Sequence, residues 1–257
     1  MINMAHIAVL GLGNWGTAIA RLWLLEGHKV KGWTIEQEVY ESITMRDTNE
    51  KYLADHPVPG LDATMHLDEA MDGSEIIVLA VPSSVILDVM EDVLPHLQPG
   101  HVLLDLAKGL APGKRLISEA IHTRLKEEGK ANPLAVLTGP TIAPEAAGGV
   151  MTTALVASED QAIAHRLAQT LSTPSFILHP ASDPVGAELW GAYKNVVALA
   201  CGLVDGLKQI GDLGGDNLKA GIFMSGFKEG CLLLAELGAR AEVCLLYTSP
   251  SPRDPTK

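Results

Sequence analysis

The sequence predicts an α/β fold: a doubly wound, mostly parallel sheet with helices on both faces, followed by a helical domain. Three observations predict it. Short aliphatic runs alternate with stretches whose apolar residues recur at helical spacing. A glycine-rich turn, Gly11-Leu12-Gly13-Asn14-Trp15-Gly16, joins the first run to the first helical stretch. Beyond Asp183 the strand-like runs cease and the chain reads as helix to about residue 241.

In order, strands fall at residues 7–10, 29–33, 76–80, 102–106 and 134–137, each short, aliphatic and bounded by Gly, Pro or Asp. Helices fall among them at 17–26, 85–93 and 114–128. Strand, helix, strand in repetition favours parallel pairing through crossover helices. Two further β-like runs, 153–156 and 175–178, flank a helical stretch at 160–171. Pro184 suits the first turn of a helix, where its missing N–H is no loss, and the glycine-rich segment 211–215 interrupts the helical reading. The parse is a sheet domain over 1–182 and a helical domain over 183–243. Residues 244–257, which begin Cys244-Leu245-Leu246-Tyr247 and turn rich in Pro and Ser, break every earlier pattern and resemble translated vector sequence. They are read as a non-native tail, which makes the helical domain a truncated one.

Apolar residues are 47% of the 257 and charged residues 19%, a globular composition able to bury a core. The formal net charge of −12 repels nucleic acid and anionic membrane at long range, so neither is expected as a partner. Cys201, Cys231 and Cys244 form no C-x-x-C pair and no even framework, and no metal site is expected. No basic segment precedes an apolar stretch at the N-terminus and no apolar run approaches membrane-spanning length. A cytoplasmic protein with no integral membrane segment is expected.

The turn at 11–16 gives each glycine a distinct duty. Gly11 permits the tight turn out of the strand, Gly13 lets a pyrophosphate approach the backbone, and Gly16 lets the helix pack closely on the sheet. Free N–H groups and the positive end of the helix then face the phosphates. Strand before, helix after and second strand on schedule mark a Rossmann-type site for NAD or NADP rather than an ordinary glycine-rich turn. Glu36, just past the second strand, is placed to accept a hydrogen bond from the adenosine ribose, with Glu38 as a substitute. The first Arg after Arg21 is Arg46, which tilts the reading towards NAD.

Three segments leave strands at their carboxyl ends, the edge where open α/β sheets bind ligands: Ala80-Val81-Pro82-Ser83-Ser84, Lys108-Gly109 and Gly139-Pro140-Thr141-Ile142-Ala143. Pro82 is assigned to the cofactor, although the same turn also reads as a Ser-capped helix start. Lys108 either holds an oxyanion or phosphate as a point charge or is a solvated loop lysine. The Gly139 backbone and the Thr141 hydroxyl either line the pocket or form a rigid turn. Lys194, within Gly191-Ala192-Tyr193-Lys194-Asn195-Val196-Val197, has apolar or small neighbours on nearly every side. Partial desolvation lowers a lysine pKa, and such a lysine can give a proton to a carbonyl oxygen as hydride arrives at the carbon. The alternative is a lysine snorkelling to water. Asn195 adjoins it as a hydrogen-bonding partner. Lys219, in Gly214-Gly215-Asp216-Asn217-Leu218-Lys219, either joins an anion site or covers surface.

Together these segments resemble the NAD(P)-dependent glycerol-3-phosphate dehydrogenase family. The matching pieces are GLGNWGTAIA at 11–20, AVPS at 80–83, Lys108-Gly109-Leu110, TGPTIA at 138–143, GAYKNVVAL at 191–199 and GGDNLKA at 214–220, in order over residues 5–242. The resemblance implies reversible reduction of dihydroxyacetone phosphate to sn-glycerol 3-phosphate by NAD(P)H, a small phosphorylated substrate, and a homodimer at full length. It implies Lys194 as proton donor and acceptor, Lys108 touching both cofactor and substrate, Gly139 and Thr141 touching substrate, and Asn14, Trp15 and Ala143 touching the dinucleotide. The family continues into a Gly-Leu-Gly-Asp segment supplying a catalytic-site Asp and an Arg-Asn pair gripping the substrate phosphate; neither occurs here. Pro144 and Ser225 stand where many bacterial members carry Lys and Arg. The chain is therefore expected to bind cofactor better than substrate, with little or no turnover. Two other readings fit: a 3-hydroxyacid or 6-phosphogluconate-type dehydrogenase on the same plan, and a non-catalytic dinucleotide-binding protein, against which the lysines argue.

Overall fold

The computed structural model describes residues 4–113, 115–211 and 214–240. Its elements begin β1 (His6–Leu10), α1 (Asn14–Leu25), β2 (Lys29–Trp33), α2 (Gln37–Arg46), β3 (Asp62–Thr64), α3 (Leu67–Met71), β4 (Ile76–Leu79) and α4 (Ile86–Val93). They continue β5 (Val102–Asp105), α5 (Ile117–Glu127), β6 (Leu134–Thr138), α6 (Ala143–Ala147), β7 (Thr152–Ala157), α7 (Gln161–Leu171) and β8 (Phe176–Ala181), then the long helices α8 (Pro184–Gly211) and α9 (Asp216–Glu236). The chain divides into two units, one up to Pro184 and one from Val185.

The strands of the first unit form one sheet of order β3-β2-β1-β4-β5-β6-β7-β8. Pairing is parallel throughout except between β6 and β7. The order reverses between β1 and β4, which opens a crevice beyond their carboxyl ends. Successive strand residues point to opposite faces, and both faces are covered. Ile7, Val9, Val78 and Leu104 pack with Trp23 of α1, Leu167 of α7 and Phe176 on one face. Ala8, Leu10, Ile77, Leu79 and Leu103 pack with Met71 of α3, Met90 of α4 and Ile121 of α5 on the other. A sheet buried on both sides explains why its central strands read as unbroken aliphatic runs. The Trp23 indole N–H donates to the Leu171 carbonyl at 3.0 Å, tying α1 to α7.

Four elements escaped the apolar pattern. α2 buries only Val39, Ser42 and Ile43, β3 is a three-residue edge strand, and α3 and α6 are single turns of five residues. α1 begins at Asn14 rather than residue 17, so the glycine turn feeds straight into the helix with Gly13 as its N-cap. β8 runs past its expected end at 178 through Pro180, which an edge strand tolerates. α4 starts after Val85, with no Ser side chain capping it. α5 begins at Ile117; its expected first residue, Lys114, lies outside the described residues. So do 212–213 in the expected helix break, the end of the helical domain at 241–243, and the tail at 244–257.

The second unit is described as α8 and α9. Two glycines one turn apart on α9 let them approach: a Cβ on Gly226 would lie 2.9 Å from Val197 Cγ2, and one on Gly230 would lie 2.6 Å from Tyr193 Cε1. Trp190 stacks on Phe227 at 5.5 Å and meets Tyr193 edge-on at 5.8 Å, while the Tyr193 hydroxyl donates to the Gly226 carbonyl at 3.0 Å. Among the described residues no helix is long and apolar enough to cross a membrane.

Candidate functional site

The three glycines of the first turn differ sharply in what surrounds them. Gly11 has φ +107°, and a Cβ there would lie 2.9 Å from the Ala80 carbonyl oxygen. At Gly16 a Cβ would fall 1.8 Å from the Gly11 carbonyl oxygen. Neither position admits a side chain without moving backbone. Gly13 lines the cavity described below, and a Cβ there would meet nothing within 4 Å. What its missing side chain keeps clear is the cavity itself. No side chain caps α1, so the N–H groups of its first turn are left for an anionic ligand.

A buried polar network holds this turn. The Asn49 amide nitrogen donates to the Leu12 carbonyl and to Thr17 Oγ1, both at 2.8 Å, and the Thr17 hydroxyl donates to the same carbonyl at 3.1 Å. Asn49 and Thr17 are both fully buried. Asn49 Oδ1 also accepts from the Tyr52 backbone N–H at 3.3 Å.

The cavity, of about 910 Å³, opens at the crevice between β1 and β4, a volume typical of small-molecule sites. Gly11, Gly13, Asn14 and Trp15 line it on one side; Pro82 and its neighbours line it after β4, Lys108 after β5, Thr141 and Ala143 after β6, and Glu36 and Tyr52 at the far end. These residues fit a dinucleotide: a cradle without side chains at the centre, a carboxylate at one end, an ammonium at the other.

Lys108 Nζ donates to Thr141 Oγ1 at 3.0 Å and stands 6.0 Å from the Trp15 ring centroid, within reach of a cation–π attraction. Lys108 is exposed by area, yet its ammonium reaches back along the cavity wall, where desolvation lowers its pKa below the ordinary lysine value. Gly109 has φ +143° and a Cβ there would sit 2.9 Å from Ser83 Oγ, so the turn after β5 lies against the turn after β4. Gly139 is pressed on β7, where a Cβ would lie 2.9 Å from Ala154 Cα, and its carbonyl accepts from the Thr141 N–H at 3.0 Å. Gly139 shapes the turn that presents Thr141.

At the other end Glu36 is the N-cap of α2, and its N–H donates to Thr34 Oγ1 at 3.2 Å. Its Oε1 accepts from the Tyr52 hydroxyl at 2.8 Å and its Oε2 from Lys51 Nζ at 2.5 Å; Lys51 also bonds Glu38. Lys51, then Tyr52, holds the Glu36 carboxyl below the usual range, and the Glu36 carboxylate pushes the Tyr52 phenol up. Between Glu36 and Glu38, Lys51 is held protonated well above the ordinary lysine value. Lys51, Tyr52 and Asn49 were missed by sequence reasoning. No periodicity or motif marks them, because the partners that tie them to the glycine turn and to α2 lie 13 to 37 residues away.

Lys194 lies half-buried on α8, and Asn195 beside it is exposed. Tyr193, one residue before, packs against Gly230 of α9 and donates to the Gly226 carbonyl, while Gly226 itself receives Val197. A G-x-x-x-G spacing in the sequence was the overlooked signal for that contact. Lys219 Nζ lies 2.7 Å from Asp205 Oδ2, so this cation is engaged with a carboxylate of its own unit.

The matching family profiles and relatives agree on one family. The profile described as the NAD-dependent glycerol-3-phosphate dehydrogenase N-terminus matches residues 6–164, and its C-terminus counterpart matches 183–249. A glycerol-3-phosphate dehydrogenase (NAD(P)+) of Exiguobacterium sp. is 40% identical over 238 residues, which cover 92% of this chain and 68% of the relative. That of Rhodospirillum rubrum is 38% identical, over 92% of this chain and 66% of its own length. The chain thus spans about two thirds of the length of these relatives. The crystal structure of glycerol-3-phosphate dehydrogenase from Coxiella burnetii superposes with a TM-score of 0.83 at 30% identity, covering 97% of this chain and 77% of that one.

Proposed function

The chain belongs to the NAD-dependent glycerol-3-phosphate dehydrogenase family, and from that premise we propose that it interconverts dihydroxyacetone phosphate and sn-glycerol 3-phosphate with NAD or NADP. Residues 1–182 hold the dinucleotide and 183–243 contribute the proton-moving helix. One observation carries the reading: the Lys108 ammonium and the Thr141 hydroxyl, 3.0 Å apart, share a cavity with a glycine turn that has no side chain to obstruct it.

Each group has a task. The N–H groups after Gly13 cradle the pyrophosphate and Glu36 accepts from a ribose hydroxyl. Bound nicotinamide supplies or takes up the hydride. Lys108 offers a point charge to substrate and cofactor oxygens, with Thr141 orienting it. Lys194 gives a proton to the carbonyl oxygen in reduction and removes it from the hydroxyl in oxidation, a role worth about 10²- to 10⁴-fold. The sequence has no Gly-Leu-Gly-Asp segment and no Arg-Asn pair, so cofactor affinity exceeds substrate affinity and turnover is low.

Fluorescence titration with NADH, and NADH oxidation with dihydroxyacetone phosphate at high protein concentration, test this. Saturable binding with weak turnover is expected, and Lys194→Ala should lower that turnover about a hundredfold or more while leaving NADH affinity unchanged. Undiminished turnover in that variant removes Lys194 from the chemistry. Turnover comparable to the longer relatives removes the claim of low activity, and preference for a 3-hydroxyacid or 6-phosphogluconate moves the chain to another substrate class. A chain that binds NADH but turns over none of these substrates is a nucleotide-binding protein only.

A further inference from the structure

Past the carboxyl end of β2 the cavity meets a charged cluster assembled from two stretches of chain. Glu36 and Glu38 come from the start of α2, Lys51 and Tyr52 from the segment after it. Both oxygens of the Glu36 carboxylate are held, one by Tyr52 and one by Lys51, so the group is fixed at the cavity edge rather than swinging in solvent. Each carboxylate oxygen has a second lone pair, and a ribose hydroxyl can still donate to it. Asn49 links this cluster to the glycine turn, since it bonds Leu12 through its nitrogen and the Tyr52 backbone through its oxygen.

The balance of charge is what matters for cofactor choice. One ammonium shared by two carboxylates leaves the cluster net negative, repelling a 2′-phosphate and suiting a neutral 2′-hydroxyl. The same ammonium is a competent phosphate ligand once its carboxylate partners are gone. Its side chain is 41% exposed, so it has room to reorient. We propose that Lys51 is the residue on which discrimination between NAD and NADP turns: held by Glu36 and Glu38 it leaves the adenosine end selective for NAD, and released from them it binds the 2′-phosphate of NADP. This deepens the dinucleotide reading above and rests on it. The sequence offered no arginine near this end, and the fold sets a lysine against Glu36, which lines the cavity, while Lys51 itself stands outside the lining.

Equilibrium affinities of the whole chain for NADH and NADPH, read by nicotinamide fluorescence and calorimetry, decide the matter. The wild type should favour NADH by about tenfold or more, and Glu36→Gln with Glu38→Gln should raise NADPH affinity about tenfold while weakening NADH. Adding Lys51→Met to that pair should cancel the NADPH gain and leave NADH where the double variant had it. Lys51→Met alone, with both carboxylates kept, should widen the preference for NADH; thermal melts verify that each variant is folded. Equal binding of the two nucleotides by the wild type, a NADPH gain that survives loss of Lys51, or a preference that narrows in Lys51→Met alone would each overturn the proposal. If the wild type binds neither nucleotide, the dinucleotide site itself is refuted, a result distinct from binding without discrimination.

Discussion

The two units of the chain differ most in what they do with large apolar side chains. In the sheet unit Trp23, Ile7, Leu10, Ile77 and Leu79 are wholly buried, shared between the two faces of one sheet. On α8, Leu199, Leu203 and Ile210 are 72%, 70% and 81% exposed, and Phe223, Met224 and Leu232 are exposed on α9. The α8 residues recur at helical spacing, so they make a stripe rather than a scatter. The packing described between α8 and α9 includes Trp190, Tyr193 and Val197 against Gly226, Phe227 and Gly230, and the Lys208–Asp216 and Lys219–Asp205 ion pairs also join the two helices. The cavity is thus lined by a unit with a large two-sided core, while the lysine proposed for proton transfer rides on helices whose described buried apolar residues are few, Ala187, Trp190, Val204 and Leu234 among them. Nucleotide binding should therefore track perturbations of the sheet unit and ignore those of the helices.

The strongest way to break that comparison is at the glycine turn. Gly16→Ala puts a Cβ where the Gly11 carbonyl oxygen already is, and backbone must move to relieve it. Destabilisation of about 3 kcal/mol and loss of measurable NADH binding are expected from denaturant titration and fluorescence. Gly13→Ala has open space around its new methyl, so stability should hold while NADH affinity falls. Equal stability losses in the two variants would mean that the turn is not shaped for a ligand at all.

Next in size is Asn49→Ala. It removes the buried amide that bonds Leu12 and Thr17 and deprives the part-buried Tyr52 N–H of its acceptor. A cost of about 2 kcal/mol is expected, together with weaker binding of NADH. A stability loss with unchanged affinity would show the network to be scaffolding alone.

Asn49 also shows where sequence reading stops. β1, α1, β2, β4, β5 and β6 were legible because a sheet covered on both faces needs continuous aliphatic runs, and because the glycine turn announces what lies on either side. α2 and β3 were not, since an exposed helix with three buried residues and a three-residue edge strand carry little apolar signal. Within the cavity, Gly13 and Lys108 could be named from their position after strands. Asn49, Lys51 and Tyr52 could not, for nothing in residues 47–61 says which strand end that segment will fold against.

A smaller effect is expected at Lys108, and its pH dependence gives it a signature. Burial lowers this pKa, so the ammonium discharges below the ordinary value of about 10.4. NADH affinity should fall as pH rises through that lowered value, and Lys108→Met should weaken binding several-fold and flatten the dependence. Stability carries the opposite sign. Between the lowered folded pKa and the ordinary unfolded one the unfolded chain binds the extra proton, so folding gains as pH rises across that window. Lys108→Met should abolish this gain and leave the melting temperature near neutral pH unchanged or slightly raised. A drop in stability near neutral pH would instead make Lys108 a structural cation.

The smallest expected effect sharpens the comparison from the helical side. Leu199→Ser and Leu203→Ser alter residues that stand mostly in solvent, and surface changes away from special features usually stay within about 0.5 kcal/mol. Neither the melting temperature nor NADH affinity should move at any protein concentration. If the melting temperature falls only at high concentration, a second copy covers the stripe, as expected of a homodimer; if it falls at every concentration, the stripe is covered within the chain. Both results concern the helices alone. Only a change in NADH affinity would show that the sheet unit depends on its neighbour, since the cavity residues all belong to the first unit.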